Sequence, residues 1–168
     1  YLLSKFIVLG AIVLIQMFVF VQIVVWGRPL PKSGLIISSS RVEMIAICSA
    51  LAFSSMVLGV FISSLISSSE QAMPALVGMT MVQVVLSGAL PLSTGGAIDK
   101  LSIFSPSYWA TNGLSASVDL VQISRISEPA QQEKWSSSIS NLSQSYWHLL
   151  LFVLLFSIGS LMKVRKTR

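Results

Sequence analysis

Long apolar runs separated by short polar breaks set the pattern of this chain. Phe6–Trp26, Met44–Ile66, Pro74–Leu90 and Tyr146–Met162 reach or approach the roughly 20 residues that a helix needs to cross a ~30 Å hydrocarbon core. The second run is diluted by Ser49, Ser54, Ser55, Ser63 and Ser64, whose hydroxyls can bond the helix's own carbonyls or pack against neighbouring helices. The expected fold is all-α: a polytopic membrane protein with four transmembrane helices at about 6–26, 44–66, 74–91 and 146–163. Between the third and fourth runs the pattern changes. Ile98–Phe104 sets apolar residues at 98, 101, 103 and 104 against Asp99 and Lys100, as an interfacial helix near 97–104 does. Pro106 stands where a helix can begin. Tyr108–Ile123 has small residues at Ala110, Gly113 and Ala116 but carries Asn112, Asp119 and Gln122. It is too polar to cross lipid alone, and a helix near 107–124 that dips into the outer leaflet under protein cover fits it. Ser124–Ser145 reads as a wet loop, so the chain is one transmembrane domain, 1–168, with an external region at 92–145.

Composition agrees with this reading: 54% of residues are hydrophobic and 10% charged, against about 25% charged in soluble domains. The net charge of +5 would suit a nucleic-acid partner, but its placement does not. Lys163, Arg165, Lys166 and Arg168 crowd the end of the last run, where basic residues mark the cytoplasmic side and meet anionic headgroups. No basic face on a soluble element is present for a nucleic acid. A cytoplasmic C-terminus puts Tyr1–Lys5 and Ser67–Met73 in the cytoplasm and Gly27–Glu43 and Pro91–Ser145 outside. The bare count of basic residues is then five inside and six outside; discounting the three in the long translocated segment leaves five against three, because such segments weigh little in orientation. The chain opens at Tyr1 with no Met and no basic leader region, and is expected to be a piece of a longer protein.

Chemistry is sparse. One His and one Cys cannot build a His/Cys metal cluster, and no Walker-type phosphate loop occurs. His148, the sole candidate base for any of the many serines, lies beside Tyr146 and Trp147 and reads as part of an interfacial aromatic belt. None of Glu43, Glu70, Asp99, Asp119, Glu128 and Glu133 falls within an apolar run, which argues against a proton relay. No catalytic, cofactor-binding or metal-binding residue is expected. Gln16, Gln22 and Gln83 do lie within the runs, where they serve either helix–helix hydrogen bonding or a polar point in a cavity. The third run holds Gly78, Met79, Met81, Val82 and Gln83, a candidate path of small, flexible and polar side chains or, alternatively, plain packing. Cys48 reads as a small packing residue. Asn141-Leu142-Ser143 is a formal glycosylation sequon.

Several stretches in order resemble ABC-2 type exporter permeases, most closely the white/pigment-transporter-like G-subfamily branch, which includes bacterial ATPase–permease fusions. Tyr1-Leu2-Leu3-Ser4-Lys5-Phe6 resembles the end of the family's coupling helix. Ser69-Glu70-Gln71-Ala72-Met73-Pro74 resembles its tight cytoplasmic turn. Leu86-Ser87-Gly88-Ala89-Leu90-Pro91 resembles the close of the fifth span, and Ile98–Trp109, with Ser105-Pro106, the re-entrant region. The resemblance runs over spans three to six of the family's six. It implies an ATP-driven exporter's membrane part, handling lipidic or amphipathic cargo as a dimer of permease copies. It also implies a nucleotide-binding domain, fused or separate, that carries ATP and Mg. By the same resemblance Leu86, Leu90 and Pro91 form an outer gate, while Tyr1, Ser4, Lys5, Ser69, Glu70 and Gln71 contact the ATPase. Gly95-Gly96 is a candidate hinge beside that gate. Two other classes fit the pattern of spans: a non-transporting membrane scaffold, and a channel or secondary transporter.

Overall fold

The computed structural model describes residues 2–27, 34–37, 39–66, 68–88, 97–120 and 135–166. Six helices follow one another: α1 Leu2–Val25, α2 Ser40–Leu65, α3 Ser69–Val85, α4 Ala97–Ser102, α5 Pro106–Val118 and α6 Ile139–Lys166. The described residues contain no strand. Three stretches are long and apolar enough to cross a membrane: Phe6–Val25, Ser40–Leu65 and Ile139–Lys163. α3 has 17 residues, about 25 Å at 1.5 Å per residue. That is short of a full hydrocarbon core, so a fourth crossing does not follow from its length.

The helix ends differ from the expected spans for local reasons. α2 begins at Ser40 rather than Met44, with Ser39 in extended conformation before it. The residues Ser40–Glu43, expected in the external loop, are therefore its first turn. α6 begins at Ile139, so 139–145 is helix and not wet loop. Ser138 starts it: its carbonyl accepts from the Leu142 amide at 3.1 Å and its Oγ from the Ser140 amide at 3.3 Å. The polar residues of this first stretch lower the hydropathy without breaking the helix. α3 already runs through Ser69–Met73, expected as a turn, and ends at Val85. Pro74 sits inside it as the sixth residue, past the four unpaired donors of the helix start, so the Glu70 carbonyl goes without its i+4 amide. α5 covers the core of the expected 107–124 helix but stops at Val118, where Asp119 takes a left-handed conformation (φ 54°) that Asp tolerates. Residues 121–124 lie outside the described residues.

Helices α2, α5 and α6 form the centre of the molecule. Ile47, Ala110, Leu142 and Leu149 are buried together, with Leu35, Leu51, Trp109, Leu114 and Tyr146 packed around them. α5 runs antiparallel to both neighbours: Ser117 meets Glu43, and Trp109 meets His148 lower down α6. Close approach depends on small side chains. A Cβ on Gly113 would lie 3.1 Å from Ser145 Cβ and 3.5 Å from Ile47 Cδ1, and Ala110, Ala116 and Ser145 are buried at the same seam. Between helices in lipid such packing replaces the hydrophobic driving force that soluble cores use. At the far end, Phe61 of α2 stacks on Phe156 of α6, with ring centroids 6.1 Å apart. α1 packs along α2, while much of its remaining surface (Ile7, Ile15, Ile23) is exposed and apolar.

Candidate functional site

α3 touches the rest of the molecule lightly, through α2 on one side and α5 on the other. Its inner face is Ala75, Met79, Gln83 and Leu86, each half-buried at helical spacing. The candidate path residues therefore divide. Met79 and Gln83 lie on the half-buried face, whereas Gly78, Met81 and Val82 lie on the exposed face, Met81 at 63% exposure. Gln83 is anchored: its Oε1 accepts from Ser107 Oγ at 3.2 Å. Thr80 satisfies its own hydroxyl by donating to the Leu76 and Val77 carbonyls.

The end of α3 is closed by a short turn. The Leu86 amide donates to the Val82 carbonyl at 2.9 Å, and Ser87 Oγ to the Val84 carbonyl at 2.7 Å. Gly88 then turns left-handed, φ +72°, with its open side 3.4 Å from the Tyr108 ring. A side chain there would touch the ring without clashing but would suffer the backbone strain. Of the three outer-gate candidates, Leu86 sits half-buried in this turn. Leu90 and Pro91 lie outside the described residues, as does the Gly95-Gly96 hinge.

Facing α3 is the corner expected from the sequence. Ser105 precedes Pro106 at the start of α5 in extended conformation, and its buried Oγ has no partner. Trp109 donates its Nε1–H to the Ile103 carbonyl at 2.8 Å, which folds α4 back onto α5. Its ring lies flat on His148, centroids 3.6 Å apart and 4° from parallel. His148 Nδ1 is 2.8 Å from the Gln144 carbonyl, so that nitrogen carries the hydrogen. The His148 ring is thus a packing partner of α5, a contact that local sequence could not reveal because Trp109 is 39 residues away in the chain.

The coupling candidates gather at the Leu65 end of α2. Ser4 lines a cavity of about 640 Å³ with Val8, Leu9, Met56, Gly59, Val60 and Ser63. A second cavity of about 380 Å³ lies between α2 and the start of α3, lined by Ser63, Ile66, Ser68 and Ala72 among others. Ser63 borders both, so the beginnings of α1 and α3 share one end of the molecule. Glu70 and Gln71 are exposed there in the first turn of α3. The side chains of Lys5 and Ser69, and the whole of Tyr1, lie outside the described residues.

At the opposite end the structure holds a group that the sequence reading passed over. Glu43 is 0% exposed. Its Oε2 accepts from the Leu35 amide at 3.1 Å and from Ser117 Oγ at 2.9 Å, and its Oε1 from the Ile36 amide at 2.9 Å. Tyr146 OH donates to the Glu43 carbonyl at 3.3 Å. A single acid next to an apolar run looks like a loop residue. The sign that it was more was Gly34, nine positions earlier, whose missing side chain makes room for the carboxylate. Gln22 lines a nearby recess of about 300 Å³ with Val25, Trp26, Gly27 and Arg41, and Gln16 is exposed among apolar neighbours on α1. Asn141, the sequon residue, donates to the Ser136 carbonyl at 3.2 Å.

Three apolar crossing-length helices around a helical core make this an integral membrane protein. Over 125 residues the chain is 30% identical to the ABC transporter ATP-binding/permease protein Rv1747 of Mycobacterium tuberculosis, which covers 73% of this chain but 14% of that protein. The chain thus spans about a seventh of the length of the curated relative it matches. No family profile matches the chain, and no solved structure does.

Proposed function

We propose that the chain is the membrane-embedded permease portion of an ATP-driven ABC exporter, of the white/pigment-transporter-like branch, moving lipidic or amphipathic cargo. What carries this reading is the coincidence of two findings. Three helices are long and apolar enough to cross a membrane, and the sequence is similar over most of the chain to a protein whose name joins ATP-binding and permease. ATP and Mg then belong to a nucleotide-binding domain, fused or associated, at the Leu65 end of α2. Ser4, Glu70 and Gln71 at that end contact the motor in this reading, and Tyr1, Lys5 and Ser69 are assigned to the same contact from the sequence.

In this reading α3 is the fourth span, with the bilayer thinned locally around it. Its weak attachment suits an element that moves. Its exposed face, with Gly78, Met81 and Val82, lines a path shared with a second permease copy, and Met79 and Gln83 on its half-buried face border that path only when the helix turns. The exposed mid-helix Gln16 supports further helices around the chain, since an amide facing lipid is costly. Leu86, Leu90 and Pro91 ring the exit and bar water by dewetting while yielding to an apolar cargo. The test is reconstitution of the full-length protein in vesicles. Lipidic cargo should stimulate its ATPase and cross the bilayer only with ATP; an ATPase indifferent to every amphipathic cargo would point to a scaffold, and ATP-independent flux to a channel.

A further inference from the structure

We infer that Glu43 is a positioning residue that fastens one end of the molecule, its two carboxyl oxygens binding loop 34–37 and α5 to the start of α2 so that they shift as one body with α6. The inference rests on the transporter reading for its consequence, but the fastening itself is independent of it. Three donors from two separate segments converge on this side chain, two backbone amides of the loop and the Ser117 hydroxyl of α5, at 2.9–3.1 Å. Tyr146 ties α6 to the same residue through its backbone carbonyl. The loop is shaped for the carboxylate: a Cβ on Gly34 would stand 2.9 Å from Glu43 Oε2 and collide with the Ile37 carbonyl.

Two accepting oxygens are required, and an amide side chain of the same length does not supply them. Each oxygen faces a backbone N–H that cannot turn away, so both must accept. A glutamine presents one oxygen and one NH2, and the NH2 would point at an amide donor whichever way the group is flipped. A part-buried amide then loses its partner, which costs more than the bond itself where water cannot replace it. α3, attached through the Gln83–Ser107 bond and the Gly88–Tyr108 contact, stays outside this body and is free to move against it.

The experiment is amide hydrogen exchange on the full-length protein in lipid nanodiscs, without ATP or cargo. Leu35 and Ile36 should be protected in the wild type, and Glu43→Gln should speed their exchange by about tenfold or more. Ser117→Ala, a milder change, should speed exchange around residue 117 while the loop stays protected. Cargo-stimulated turnover of Glu43→Gln should fall with the KM for ATP unchanged, because this body no longer follows α2. Unprotected wild-type amides, or equal protection in Glu43→Gln, would overturn the fastening. Altered exchange with unaltered turnover would overturn the positioning role. A wild type with protected amides but no cargo-dependent ATPase would count against the transporter reading alone.

Discussion

Glycines in this molecule divide by what a methyl group would meet. Gly113 sits where α5 leans on α6, and its Cβ would come within 3.1 Å of Ser145 Cβ; both flanking helices are buried there and neither can yield cheaply. Gly59 faces the cavity beside α1, and its Cβ would meet nothing within 4 Å. Gly113→Ala is therefore expected to destabilise by about 1–3 kcal/mol through overpacking. Gly59→Ala should be neutral or stabilising by up to about 1 kcal/mol through helix propensity. Denaturation of the purified protein in mixed micelles compares the two. Trp109 offers a second dissection. Trp109→Phe keeps a ring on His148 but loses the bond to the Ile103 carbonyl, about 1 kcal/mol. Trp109→Ala also removes the stack and leaves a void, about 3–5 kcal/mol. The same micelle titration should rank the two variants in that order.

Among the helices, periodicity and length located α1, α2 and α6 well, because a crossing helix must be apolar over nearly its whole length and little else in a sequence looks like that. Their ends were not legible. Ser40–Glu43 and Ile139–Ser145 are polar stretches made helical by capping at Ser138 and by burial against α5, and burial depends on partners distant in the chain. The amphipathic pattern of 98–104 pointed to a helix where α4 lies, and helix-start chemistry to the beginning of α5 at Pro106. The candidate site was legible as a region, α3 and the corner opposite it, but not by face: Met79 and Met81 are indistinguishable in composition and point opposite ways. Glu43 was missed because its partners, Ser117 and the Leu35 and Ile36 amides, converge only in three dimensions. The light seating of α3 carries its own prediction. In a background with Cys48 replaced, Gln83→Cys and Ser107→Cys place two thiols across the α3–α5 contact. Bridging them with a short bifunctional reagent should stop cargo-stimulated ATPase, and reversal with a cleavable linker should restore it. Unchanged turnover in the bridged protein would show that α3 does not move against α5.

The helices alternate in direction, and this fixes which ends of the molecule lie together. α2 descends from Ser40 to Leu65, and α6 descends beside it, with Phe61 against Phe156 and Gly159 close to Phe61. α1 and α3 both start at the Leu65 end, where Ser63 borders the cavities that hold Ser4 and Ser68. Ser4, Ser68 and Lys163 thus share one end of the molecule. Glu43, Ser117 and Ser138, at the start of α2, the end of α5 and the entry to α6, share the other. The proposed orientation puts the Leu65 end in the cytoplasm, because the positive charge of Lys163 to Arg168 favours that side. The motor that drives an exporter must dock on that same surface. With Cys48 replaced, single cysteines at Ser68 and at Ser138 should therefore behave oppositely toward a membrane-impermeant maleimide added to intact cells. The residue-138 cysteine should label from outside, and the residue-68 cysteine only after the membrane is opened. Labelling of both from one side would contradict the helix directions themselves, whereas the reverse assignment would keep the fold and turn the whole molecule over, leaving Ser4 and Glu70 out of reach of any cytoplasmic ATPase.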